Sequence, residues 1–189
     1  MFINEGIHLE KALPVSLFSA LLSRADIRLH RKIAVIDHRV AYSGSLNLAD
    51  PHYFKKSSNV GQWVDAMVRA KGEIVASLYH LIHFDWKVLT DTDTPFPEFQ
   101  TNDNPEFDLP DQATVTIVPS GPGTSNDANQ RIILEAIHQA KRKVEIVTPY
   151  FIPGEALALA LQNAALKGVK VTLLLPEKSD SQMVNYAAR

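Results

Sequence analysis

The chain has 189 residues, 46% hydrophobic and 21% charged. That balance excludes whole-chain disorder, collagen-like repeats and low complexity, and leaves volume for one ordinary domain or two small ones. Nineteen Lys and Arg stand against 21 Asp and Glu, a net charge of −2, which argues against a generic nucleic-acid coat because no single-sign field is large enough to hold a polyanion. With no cysteine, disulfides, thiolate metal sites and cysteine nucleophiles are excluded, and a reducing compartment is permitted. The longest apolar stretches, such as Val144–Val147 and Val169–Leu175, fall far short of the roughly 20 residues that cross a bilayer. The start, Met1-Phe2-Ile3-Asn4-Glu5, lacks the basic opening of a signal peptide.

In chain order, Gly6–Leu13 alternates and reads as a strand, and Val15–Ser23 follows Pro14 with a short helical spacing. Arg28–Ile36 is extended, Asp37-His38-Arg39 is a polar turn, and Val40–Tyr42 returns, a predicted hairpin that Gly44-Ser45 interrupts. Gln62–Arg69 reads as another strand. Gly72 leads into a helix whose apolar positions Ile74, Val75, Leu78, Leu81, Ile82 and Trp86 recur at three and four. Residues 91–112 hold four prolines and seven acids without a period, the composition of a solvated linker, and the domain boundary is expected there. Beyond it come a strand at Ala113–Val118, a turn at Ser120–Gly123 and a helix over Asn126–Ala140. A strand at Val144–Thr148, a helix over Gly154–Lys167 closed by Gly168, a strand at Val169–Leu175 and a helix from near Ser179 complete the series. This alternation predicts an α/β fold with parallel β/α layering.

The chemistry concentrates between Asp26 and Asp50. His30, Lys32 and Asp37 form H-x-K-x4-D, followed by Gly44-Ser45-x-Asn47. At this composition the first pattern is expected roughly 0.03 times by chance, and the neighbouring G-S-x-N lowers that by about a thousandfold. Residues two apart on a strand share a face, so His30 and Lys32 project together and Arg31 points away. An imidazole nitrogen is a competent nucleophile or base, and a neighbouring ammonium neutralises the non-bridging oxygens of a phosphodiester. Ser45 and Asn47, beside a glycine that permits close backbone approach, can donate further hydrogen bonds to those oxygens. The set is a phosphoryl-transfer half-site that needs no metal or other cofactor.

This pattern resembles the HKD motif of the phospholipase D superfamily. The flanking words LHRKIAVID, AYSGSLNLADPHYFK, VGQWVDAMV, HFDW, SGPG, VTPYFIP and VTLLLP look like those of bacterial cardiolipin synthases of the phospholipase D type. The resemblance implies a bilobal enzyme of two β-α-β-α sandwich repeats, each with one HKD motif, meeting at a shared site. One histidine takes the phosphatidyl group from phosphatidylglycerol and the other handles the proton of the alcohol. By resemblance His30 is one of the two histidines and Lys32 holds phosphate. Asp37, the motif's third member, supports its turn, and Ser45 and Asn47 line the phosphate pocket. Asp65 orients the His30 ring through a hydrogen bond. The resemblance also implies a bacterial cell membrane, on its reducing cytoplasmic side.

No other histidine has a lysine two residues later, so a second H-x-K-x4-D is absent from this sequence. The chain therefore reads as the C-terminal part of a first repeat with its motif (1–90), a linker (91–112), and the N-terminal part of a second repeat without one (113–189). The expected partners are phosphatidylglycerol, a membrane surface reached through segments preceding this chain, and a second half-site or a second copy, with no nucleic acid. Sheets cut in this way would expose unpaired edges and apolar faces. The alternatives are a phosphodiesterase or nuclease of the same superfamily, and a non-catalytic lipid-binding fragment.

Several other residues read as structure. Gly121 and Gly123 suit a plain turn before a helix, and Tyr150, Phe151 and Pro153 suit strand-to-helix packing. His80 and His83 lie three apart on a helix without a recognisable third ligand, and Lys55-Lys56 and 141–143 are short solvated basic runs.

Overall fold

The computed structural model describes residues 5–12, 30–50, 63–90, 97–100, 113–121, 124–125 and 127–177. The helices expected at Val15–Ser23 and from Ser179 lie outside the described residues, as do Lys55 and Lys56. Two compact units are present, one drawn from Met1–Asn47 with Asp65–Ser125, the other from Leu48–Val64 with Asn126–Arg189.

The first unit holds strands β1 (Ile33–Ile36), β2 (Val40–Gly44) and β3 (Met67–Lys71) and helix α1 (Ile74–Leu89). β1–β2–β3 is an antiparallel sheet in chain order, with Ile33 opposite Ser43, Ile36 opposite Val40 and Gly44 opposite Met67. The expected hairpin is therefore present. The expected Gln62 strand begins instead at Met67, because pairing with β2 reaches no further than Gly44. Inward-facing Val35 pairs with Ala41, and Ala41 pairs with Ala70. Those small side chains let α1 seat Val75 and Leu78 on the sheet, leaving Ala41 at 0% and Val75 at 1% exposure.

Phe99 and Ile117 also pack on this cluster, so residues within and just after the expected linker belong with the first unit. Ala113–Val118 forms no ladder, and neither does the described part of Gly6–Leu13. Alternation specifies a strand only where a partner offers its backbone groups, and no described strand pairs with either segment. The side chains of the second segment are used nonetheless, through Ile117.

Tyr79 closes the arrangement by donating its hydroxyl to the Pro97 carbonyl. Burial pushes this phenol above its ordinary value of 10.0. Its contribution to stability is therefore complete below pH 10 and is lost as pH rises through the raised value. Alkaline titration followed by circular dichroism is expected to show early loosening in the wild type above that point, and Tyr79→Phe should abolish this step.

The second unit contains α2 (Ala128–Gln139), β4 (Lys143–Val147), α3 (Glu155–Leu166) and β5 (Lys170–Leu174). β4 and β5 are parallel, Lys143 opposite Lys170 through Val147 opposite Leu174, as the alternation predicts for this half. α3 crosses between them because its Ala-Leu-rich sequence favours helix and its end is specified by Gly168. Gly168 takes φ +88°; its N–H bonds the Ala165 carbonyl and that of Val169 bonds Ala164. This paired closure favours glycine at the left-handed position. Ala160, Leu161, Ala164 and Val169 pack with Ile137 of α2 as the core of this unit. At the far ends of the two strands Val147 is 77% and Leu174 62% exposed.

Candidate active site

Antiparallel pairing decides where the chemistry collects. β1 begins at Ile33 opposite Ser43, and Gly44 ends β2 opposite Met67, where β3 begins. The residues entering β1, leaving β2 and entering β3 therefore emerge at one end of the same sheet. Those residues are His30 and Lys32, Ser45 and Asn47, and Asp65, brought together from positions up to 35 apart in sequence.

At the opposite end lies the turn. Asp37 and His38 both take φ +53°, and the Arg39 N–H bonds the Ile36 carbonyl at 3.0 Å. Two successive left-handed residues match the right-handed twist of a hairpin, and aspartate tolerates that conformation. Asp37 thus sits in the motif's turn. His38, to which the sequence assigned no role, stacks on Phe99 with ring centroids 4.8 Å apart, and its Nδ1 accepts the Gln100 N–H at 2.8 Å. Nothing in local sequence marks that partner, 62 residues away.

Around the site itself, His30 is exposed and Lys32 half-buried. The Lys32 ammonium donates to the His30 carbonyl at 2.7 Å, which folds the lysine back beside the histidine. Ser45 is held from both sides. Its N–H bonds the Ala66 carbonyl at 3.0 Å, its hydroxyl donates to Asp65 Oδ1 at 2.7 Å, and its Oγ accepts the Ala66 N–H at 2.9 Å. Gly44 makes this possible: a Cβ there would stand 2.2 Å from the Ala66 carbonyl oxygen. Among the described residues Asp65 is bonded by Ser45 and makes no hydrogen bond to the His30 ring, and Asn47 is exposed without a hydrogen-bond partner. The structure therefore brings Ser45 to Asp65 and Lys32 to the His30 backbone. His30 and Asn47 are exposed.

Comparison with known proteins bears on the chemistry of this end of the sheet. Residues 133–189 match the family described as "Cardiolipin synthase, PLD-like domain". Over all 189 residues the chain is 38% identical to cardiolipin synthase A of Serratia proteamaculans (strain 568), covering 39% of that protein. It is 38% identical over 184 residues to the Proteus mirabilis (strain HI4320) protein of the same name, 97% of this chain and 38% of that one. By these matches the chain is similar along its length to part of the phospholipase D-like cardiolipin synthases. With cardiolipin synthase A of Buchnera aphidicola it shares 40% identity over 186 residues, 98% of this chain and 38% of that protein. The chain thus spans about two fifths of the length of the cardiolipin synthases it matches. The family match falls in the second unit, so likeness across His30–Asp65 rests on the full-length alignments. No solved structure matches.

Proposed function

We propose that this chain supplies one half-site of a phosphatidyltransferase that makes cardiolipin from phosphatidylglycerol. The observation that carries the reading is that His30, Lys32, Ser45, Asn47 and Asp65 lie at one end of the antiparallel sheet, in a chain alignable along its whole length with cardiolipin synthases.

In this reading a His30 ring nitrogen attacks phosphorus, the bond from phosphorus to the glycerol oxygen breaks, and a second histidine gives that oxygen its proton. The second histidine then takes the proton from a hydroxyl of another phosphatidylglycerol. That oxygen attacks phosphorus, the P–N bond breaks and His30 is regenerated. Lys32 and the Asn47 amide hold the non-bridging oxygens as charge accumulates on them. Ser45 joins them when its proton turns from Asp65 to the phosphate. Asp37 keeps the hairpin closed, and the carboxylate of Asp65, freed from Ser45, orients the His30 ring. Because this sequence carries one H-x-K-x4-D, the second histidine in this reading lies outside it, in a further segment of the protein, another polypeptide or a second copy. The lipid substrate sets the reaction at a bacterial membrane surface.

The test is chromatography of lipids after incubation with radiolabelled phosphatidylglycerol. Labelled cardiolipin and free glycerol are expected when this chain is mixed with a polypeptide carrying a second H-x-K-x4-D, and neither from the chain alone. Equal cardiolipin with and without this chain overturns the reading, as does metal-free cleavage of plasmid DNA in the absence of any lipid product.

A further inference from the structure

We propose that Arg31, the residue between His30 and Lys32, is the positioning residue that fixes the reactive imidazole, by clamping its backbone to helix α1 and to the Ser120–Gly121 turn. The proposal rests on the reading of His30 as the group that accepts phosphorus.

The segment needs such a clamp. Ladder pairing of β1 starts at Ile33, so His30, Arg31 and Lys32 lie beyond the last cross-strand bonds of the sheet. The Lys32–His30 contact is local, spans two residues and moves with the segment. Arg31 supplies the long-range anchors. One guanidinium nitrogen, Nη1, pairs with Asp85 Oδ1 on α1, and the other, Nη2, donates to the Ser120 carbonyl at 2.6 Å. Side-chain exposure is 17% for Arg31 and 13% for Asp85, so neither charge is a solvated surface group, and an ion pair so shielded is costly to break. Gly121, next to that carbonyl, takes φ +124°, a conformation that favours glycine.

Adjacency turns the clamp into a positioning device. His30 and Lys32 flank Arg31 directly, so fixing the Arg31 side chain against the body of the unit restricts the backbone that carries both. Two anchors at a planar fork also restrict rotation of the segment about its own axis, which one contact cannot. Arginine is the residue for this role because its fork serves two acceptors in different directions; lysine offers a single charge centre. Asp85 belongs to the same helix that carries Val75 and Leu78, so the anchor is as rigid as the core.

The experiment uses the whole chain with R31K and D85N, and reads three quantities. These are the NMR order parameter of the His30 ring, the affinity for inorganic phosphate by titration, and the thermal midpoint. Expected are a drop in His30 ring order and about a fivefold weaker phosphate affinity in both variants. The midpoint should fall in both variants because a shielded ion pair is broken, while the amides of Ile33–Gly44 stay close to wild type, and D85E should recover most of these losses. Unchanged ring order and phosphate affinity in both variants overturns the proposal. If R31K does not fold, D85N, which keeps the size and shape of the side chain, decides alone; collapse of both assigns the pair to stability only and also overturns it. Absence of phosphate binding in the wild type counts against the function proposed for His30, while ring order still decides the role of Arg31.

Discussion

Gly44→Ala is expected to destabilise the first unit by about 2–3 kcal/mol, the upper part of the range for forced overpacking, and to lower the thermal midpoint by roughly 5–10 °C. The cause is space, not backbone conformation. A Cβ at Gly44 would stand 2.2 Å from the Ala66 carbonyl oxygen, 2.7 Å from Met67 Sδ and 2.8 Å from Met67 Cα. The methionine sulfur can swing aside, but the other two atoms are backbone of the paired strand and its approach. Relief therefore requires β2 and the entry to β3 to separate at the point where Ser45 N–H meets the Ala66 carbonyl. That movement also pulls Ser45 from Asp65. A melt followed by circular dichroism measures the stability loss, and the amide resonances of Ser45 and Ala66 report whether the damage begins there. A midpoint unchanged from wild type would show that the strands do not approach this closely in solution.

The same glycine shows what sequence could and could not reveal. The G-S-x-N word suggested close backbone approach, and the structure supplies the approaching atoms. The hairpin was legible because β-branched runs flank a polar Asp-His-Arg turn, and α1 and α3 because apolar residues recur at helical spacing and Gly168 stands where a left-handed closure is required. Segments 6–12 and 113–118 alternate equally well but form no ladder. A strand is a relation between two segments, and alternation reports only one of them.

At the site the missing information was likewise the partner. A carboxylate placed near an imidazole by sequence pattern can equally accept from a hydroxyl, and Ser45 is the donor that Asp65 meets. Parity predicts that Arg31 and His30 point apart; the structure shows only where Arg31 goes. Parity could not say that it would meet Asp85 and Ser120, 54 and 89 residues on. The proposed positioning role thus falls on a residue inside the most recognisable motif of the chain, at one of its variable letters.

His30→Ala is expected to separate chemistry from stability in the opposite sense to Gly44→Ala. Without the ring nitrogen nothing is left to take phosphorus from the lipid. Cardiolipin formation in the two-component assay should therefore fall on the order of 10⁴-fold or more, as when other covalent catalysts lose their nucleophile. Folding should scarcely notice. His30 is exposed, Lys32 bonds its carbonyl, which alanine retains, and a surface change of this kind stays within about 0.5 kcal/mol. The discriminating measurement pairs the lipid assay with a melt and with trapping of acid-labile, alkali-stable label on the protein. Loss of product and of trapped label at an unchanged midpoint is the expected triad. Label that persists in His30→Ala would place the phosphorus on another group, and loss of product accompanied by a lowered midpoint would make His30 a structural residue. Gly44→Ala, by contrast, should lose product only in proportion to the population it unfolds and to the displacement of Ser45, so the two variants separate the sheet from the nucleophile that stands at its end.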